Sequence, residues 1–459
     1  MTASFKRMQD TNRLVLIVHA IDTEGPLREP LHATFERLTH LFGVTGLSKT
    51  AGTLQLLKEK KIPLGGKEEK VAELLSRHSL DYNKTWREVD AMLSRIMRRK
   101  FRMSFPDSYG GGWVYNWHCL DHVGFKTNER GRDLGVHRVF DHYRAILKKQ
   151  KDSPDAIHYH FHYISTYREA HRCATSLLNS APEFLDVLCR RIIERQWVPK
   201  AARAGFQTER PDSHWFLEQW IPYDLTSMAQ DDNRELELLT DFRKGRSGNW
   251  RKAPSDWSIY HPSHDDYQTP GNCRRFIGRA LNPLNRVGSL TRREVEKAFR
   301  RADKGLPTLM GVAGHDFRDV GREVDYVRSL IREVSPKYPR VKFKYAEEVE
   351  AFRRATGAPE RMQEPLKLEV KLHRAPKGDV PNLDVMARCG RVFGPQPFLA
   401  IETKSGRFIH DNLDFGEREG VWHYAFHSDT LPLSDVRRIG IAANDAFGNT
   451  SLKVLNVNG

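Results

Sequence analysis

Apolar and polar positions along the chain switch repeatedly between a two-residue and a three-to-four-residue period. Residues 13–24 open with a β-rich run, and Leu14–Ile21 reads as the first core strand. The run ends in Asp22-Thr23-Glu24-Gly25-Pro26, where Gly-Pro marks an abrupt turn. Apolar residues then recur at helical steps over Ala51–Lys60 and Lys67–Arg77. Helices are also predicted over Trp86–Arg99, Val136–Lys149, Pro182–Arg195, Thr291–Asp303 and Val320–Glu333. Pro106–Trp117 predicts a glycine turn leading into an aromatic strand. Ala156–Ile164 and Thr308–Ala313 are predicted strands, and Trp197–Phe206 begins as one.

Strands alternating with helices over this length predict an α/β fold with a largely parallel sheet. A (β/α) barrel, complete or distorted, suits it and would carry its chemistry at the strand C-termini. Near Gly357–Pro365 the texture changes. Leu366–Leu372, Phe398–Thr403, Trp422–His427, Ile439–Ala443 and Ser451–Val457 are short alternating runs separated by turn residues, Asn444–Asn449 among them. They predict a small all-β sandwich of the immunoglobulin-like kind. The expected division is a barrel over residues 1–360 and a β-sandwich over 365–459.

Composition narrows the function classes. A chain of 459 residues suits two or three domains. Its 74 Lys plus Arg against 59 Asp plus Glu leave a net charge of +15, which favours an acidic partner. Anionic lipid or a membrane surface, a charged glycan, a nucleotide-linked sugar and nucleic acid all qualify, and a merely solvated basic surface gives the same sum. No known reader motif supports a specific nucleic-acid partner. The five cysteines, Cys119, Cys173, Cys189, Cys273 and Cys389, are scattered without a C-x-x-C, which argues against a disulfide framework or a zinc finger. No apolar run is long enough for a membrane-spanning helix, and the opening one is too short for a secretory signal. A reduced, cytoplasmic protein is expected, peripheral to the inner face of the membrane if lipid is the partner.

The sharpest chemical feature is His158-Tyr159-His160-Phe161-His162. In a strand the three imidazoles share one face, an arrangement suited to a divalent metal. A surface stripe of alternating histidine and aromatic residues would look the same. Asp22 and Glu24 are also two apart and share a face. One could ligate the metal while the other serves as base, although an acidic turn or helix cap fits the same residues. His315, beside Asp316 after an apolar strand, could act as a general acid, or be an ordinary loop histidine. Arg203 could lock a catalytic carboxylate and lower its pKa, or lie on a basic surface.

Other signals are weaker. Gly110-Gly111-Gly112 lacks the lysine of a phosphate loop, and neither G-x-S-x-G nor H-E-x-x-H occurs. Trp113, Tyr115, Trp117, His118, Asp121 and His122 read as core sooner than as a sugar cleft. His261 and His264 sit in a loop pattern that could supply further ligands.

Taken in order, these pieces resemble the polysaccharide deacetylase family over about residues 13–355. The similar segments are Ala20-Ile21-Asp22-Thr23-Glu24-Gly25, Ile157–His162, Arg203-Ala204-Gly205-Phe206, Tyr223-Asp224-Leu225-Thr226-Ser227, Leu309–His315 and the closing Phe343–Phe352. The resemblance implies a metal-dependent carbohydrate deacetylase on a distorted (β/α) barrel. It implies that His162, with His160 or His158 and with Glu24 or Asp22, holds a divalent cation, zinc by preference. The remaining acid, Asp22 by preference, would be the base, Arg203 its anchor and His315 the acid. The expected activity is removal of N-acetyl groups from an amino sugar, in a cell-surface polysaccharide or its lipid- or nucleotide-linked precursor. A metal-dependent glycoside hydrolase, another amidohydrolase and an inactive carbohydrate-binding scaffold remain open alternatives.

Overall fold

The computed structural model describes residues 13–76, 80–150, 153–170, 176–231, 248–284, 289–358, 364–375 and 379–457. Seven parallel strands close into a barrel: β1 (Leu14–Thr23), β2 (Asn116–Cys119), β3 (Ala156–Phe161), β4 (Ala201–Ala204), β5 (Tyr223–Ser227), β6 (Phe276–Leu281) and β7 (Thr308–His315). Each lies beside the next, and β1 closes the circle by pairing with both β7 and β2. An eighth strand, β8 (Lys342–Tyr345), pairs with Leu14–Ile17 of β1. Since β7 runs along one edge of β1 from Val15 to Asp22, β8 and β2 must share the other. The strand is therefore flanked along its length and buried on both faces from Val15 onward, which is why Leu14–Ile21 reads as an apolar run broken only by His19.

Helices cover the barrel. The helix Trp86–Ile96 shows why these segments form where they do: Thr85 and Glu88 make a reciprocal capping box, and Val89, Met92, Leu93 and Ile96 bury one face. Inside the barrel, Leu16, Val18, Ala20, Ala201, Leu225, Ala280, Leu309 and Ala313 share a cluster with Val349 and Phe352 of the last barrel helix, Glu348–Ala355. Alanines alternate with larger aliphatic residues in this inner layer because seven strands enclose little space.

Several elements depart from the expected pattern. The aromatic run Trp113–Tyr115 precedes β2 and is not part of it; these rings are buried and pack in the core, and only Asn116 onward joins the ladder. The helices Leu31–Phe42 and Pro211–Trp220 and the strand β6 were not expected. In β6 the apolar run is broken by Gly278 and Arg279. A side chain at Gly278 would strike Leu225, and the Arg279 guanidinium is paired with Glu294.

From Lys367 the chain builds two antiparallel four-stranded sheets. The strands are β9 (Lys367–His373), β10 (Asn382–Cys389), β11 (Phe398–Thr403), β12 (Phe408–Asp411), β13 (Asp414–Phe415), β14 (Val421–Ala425), β15 (Val436–Asn444) and β16 (Thr450–Asn456). Their orders are β13-β14-β10-β9 and β12-β11-β15-β16. Leu383, Val385 and Trp422 from one sheet and Leu399, Ile401, Ile439 and Ile441 from the other form one core. Phe398, Ala400 and Ala442 pack into a cluster with Leu188 and Ile192 of the helix Ala181–Arg195. The Asn444 side chain donates to the carbonyls of Pro199 and Trp220, at 2.7 and 3.1 Å. These contacts fasten the β-rich region to the barrel.

The described cysteines, Cys119, Cys189, Cys273 and Cys389, are free thiols; Cys173 lies outside the described residues. Among the described residues no helix is long and apolar enough to cross a membrane.

Candidate metal centre

Register brings the chemistry together. Asp22 of β1 lies opposite His315 of β7 on one side and His118 of β2 on the other. In β3, His158 faces His118 in the ladder, and His160 lies opposite Arg203 of β4. Residues two apart on a strand share a face but stand roughly 6.6 Å apart along it. His158, His160 and His162 therefore reach the interior at three depths, and so do Asp22 and Glu24 at two.

At the mouth, Glu24, His160 and His162 converge. One ligand atom from each lies within 4.8 Å of the others. Glu24 Oε1 is 3.7 Å from His162 Nε2 and 3.9 Å from His160 Nε2, and the two Nε2 atoms are 3.0 Å apart. His160 Nδ1 lies 2.9 Å from the Arg203 carbonyl oxygen. A carbonyl only accepts, so Nδ1 carries the hydrogen and Nε2 presents a lone pair to the cluster. Ligand atoms about 2.0–2.1 Å from zinc stand roughly 3.3 Å apart at tetrahedral angles. The observed separations bracket that value, so the donor set fits a divalent cation in both chemistry and spacing.

One depth lower, Asp22 is gripped by Arg203, with Nε donating to Oδ1 at 2.7 Å and Nη2 to Oδ2 at 3.3 Å. His160 Nδ1 lies 3.6 Å from Oδ1, and His315 Nε2 lies 3.7 Å from Oδ2. Burial alone would raise the Asp22 carboxyl, but the Arg203 guanidinium overcomes it and holds the group below the usual carboxylate range. Burial likewise opposes ionisation of Glu24, and the Arg132 guanidinium brings it down to about 2. Desolvation keeps the imidazoles neutral: His315 is lowered to about 3, His162 to about 4, and His160 moves the same way.

His158 is the exception among the expected ligands. It stands below the cluster, with Nε2 3.2 Å from Glu347 Oε1 and 3.3 Å from Asn116 Oδ1, and is not in the Glu24–His160–His162 group. His158 lies a full strand period below His160 within β3 and is turned to Glu347 and Asn116, whereas His162, past the strand's end, meets His160 Nε2 at 3.0 Å. Beside it His118 Nε2 meets Glu348 Oε2 at 2.7 Å.

The loops hold the acids in place. Asp316 accepts from the backbone N–H groups of Glu24 and Gly25 and from the Tyr143 hydroxyl, each at 2.9 Å. Gly25 has φ of +70°, and an added Cβ would lie 2.9 Å from the Trp86 ring, so the turn needs glycine. Gly205 serves the other side: a Cβ there would lie 2.0 Å from His162 Cδ2. His122 Nε2 contacts the Glu24 carbonyl at 2.8 Å.

Trp113, Tyr115 and Trp117 are buried core residues, and Asp121 pairs with Arg191. His261 contacts the Arg275 carbonyl and the exposed His264 pairs with Asp265, so neither joins the cluster. Sequence reasoning missed Arg132, Tyr143, Glu347 and Glu348. Tyr143 falls in the predicted helix Val136–Lys149 and Glu347 and Glu348 in the closing segment Phe343–Phe352, where nothing marks them as site residues, and Arg132 lies outside every predicted element. No family model, no curated protein and no solved structure matches this chain.

Proposed function

We propose that this chain is a metal-dependent hydrolase that removes N-acetyl groups from an amino sugar, in a polysaccharide or in its lipid- or nucleotide-linked precursor. We further propose that its barrel is of the polysaccharide deacetylase type. The observation that carries this reading is the convergence of Glu24 Oε1, His160 Nε2 and His162 Nε2, with Asp22, Arg203 and His315 beside them. Two imidazoles and one carboxylate are a catalytic zinc donor set with a position left open, and zinc is the preferred ion.

At such a set a divalent cation supplies polarisation of an amide carbonyl and a lowered pKa for water. The chain's own groups do the rest. Asp22, kept ionised and oriented by Arg203, takes a proton from the attacking water. Asp22 Oδ2 and His315 Nε2 face one another at 3.7 Å, so that proton can pass by the imidazole to the departing amine nitrogen. Acetate and a free amine result. The net charge of +15 supports an anionic precursor or a lipid surface as the partner.

The test uses purified protein, N-acetylglucosamine oligomers, and assays for both acetate and new reducing ends. Chelator should abolish acetate release and zinc should restore it. Acetate release that persists in chelator would refute the metal role. New reducing ends without acetate would favour a glycoside hydrolase.

A further inference from the structure

Glu24 has two carboxylate oxygens, and they have different partners. Oε2 accepts from Arg132 Nη2 at 2.6 Å, whereas Oε1 faces the two histidine nitrogens. We propose that Arg132 is the positioning residue that keeps Glu24 a one-oxygen ligand, an inference that rests on the metal reading above.

Arg132 is well placed for this. It is 8% exposed and comes from the loop between β2 and the helix Arg138–Lys148, far in sequence from every predicted ligand. Asn128 pins the loop at both ends of a turn: its side-chain nitrogen donates to the Arg132 carbonyl at 2.7 Å, and its oxygen accepts from the Arg132 N–H at 2.8 Å. The guanidinium lies over the Phe317 ring, 4.9 Å from its centroid, and Nη1 reaches the Gly25 carbonyl at 3.4 Å. The arginine is thus fixed by its backbone, by a ring and by the turn that carries Glu24 itself.

The consequence is chemical. A carboxylate free to rotate can bind a cation through both oxygens and fill an extra coordination position. A carboxylate with one oxygen held by a guanidinium can do so only by sharing or breaking that bond, which favours the one-oxygen mode. A catalytic site with three protein ligands works because a further position stays open for water or substrate. Arg132 therefore guards that position without touching the cation or the reacting atoms.

Cobalt(II) reads coordination number directly, since its visible bands are intense in four-coordinate sites and weaken as ligands are added. Metal-free full-length protein is loaded with one equivalent of Co2+ and compared with Arg132→Met and Arg132→Lys, with circular dichroism confirming that each is folded. Arg132→Met should lose visible intensity by roughly twofold or more, and Arg132→Lys, which restores a donor to Oε2, should recover part of it. Equal intensity in the parent and both variants would overturn the proposal while leaving the metal site standing. A parent protein that binds no Co2+ or Zn2+ would overturn the metal reading, and this inference with it.

Discussion

Arg203 and Asp22 form a fully buried, two-point ion pair that links β4 to β1 across the barrel interior, Nε to Oδ1 at 2.7 Å and Nη2 to Oδ2 at 3.3 Å. Breaking such a pair leaves a charge uncompensated in a dry interior. Arg203→Met should destabilise the protein by about 3–5 kcal/mol. Asp22→Asn with Arg203→Met should cost less than the sum of the two single changes, because the double variant strands no charge. Urea unfolding of the three variants measures this; additive losses would show that the pair is not coupled. Asp22→Asn should also abolish acetate release while retaining zinc.

His158 and His160 of β3, and His162 just past its end, should separate cleanly by metal content. His160→Ala and His162→Ala each remove a donor from the cluster and should lose bound zinc after dialysis. His158→Ala should keep it, since His158 is engaged by Glu347 and Asn116 one depth lower. Elemental analysis of the three proteins decides the matter, and zinc lost from His158→Ala but kept in His162→Ala would reverse the assignment.

A methyl group at position 205 would sit 2.0 Å from the His162 ring. Gly205→Ala should therefore displace a ligand without changing any ligand's chemistry. We expect a stability loss of about 1–3 kcal/mol together with weakened zinc binding in chelator competition. Unchanged zinc affinity would mean that His162 can move aside at no cost to the site.

The pair His118–Glu348 predicts a dependence of stability on pH. His118 Nδ1 lies 3.4 Å from the Tyr159 carbonyl, so it carries the hydrogen and leaves Nε2 to accept from a protonated Glu348. Burial pushes Glu348 from 4.5 up to about 8, and burial lowers His118 to about 3. The folded state therefore holds a proton that the unfolded state has released. Stability from Glu348 is lost as pH rises from about 4.5 to about 8, with a slope of up to about 1.4 kcal/mol per pH unit. His118, neutral in the fold but protonated in the unfolded chain below 6.5, contributes the opposite slope up to that pH, so the pair's net loss falls between about 6.5 and 8. Glu348→Gln keeps the hydrogen bond without the proton. Its unfolding free energy should fall less than the parent's between pH 5 and pH 8, and parallel curves would exclude a proton on Glu348.

Much of the chemistry was legible because it depends on a local rule. The two-residue period of an extended chain is set by the backbone dihedrals of each residue alone, so Asp22 with Glu24 and the histidines of β3 could be assigned to shared faces from order alone. The long apolar runs of β1 and β7 were legible too, since a parallel strand buried on both sides needs little else. The strand β6 was not, because Gly278 and Arg279 answer to Leu225 and Glu294, neighbours that are not adjacent in sequence.

The sequence by itself determined which side chains face together; only the tertiary structure decided how deep each one lies and what it meets there. His158 and His160 have the same facing and nearly the same surroundings in sequence, yet one pairs with Glu347 and the other joins Glu24. Arg132 enters from a loop that no periodicity marks. Depth and partnership follow from inter-strand register and barrel closure. Those are fixed by packing between segments as far apart in sequence as Leu14 and Lys342, an interaction that no local pattern encodes.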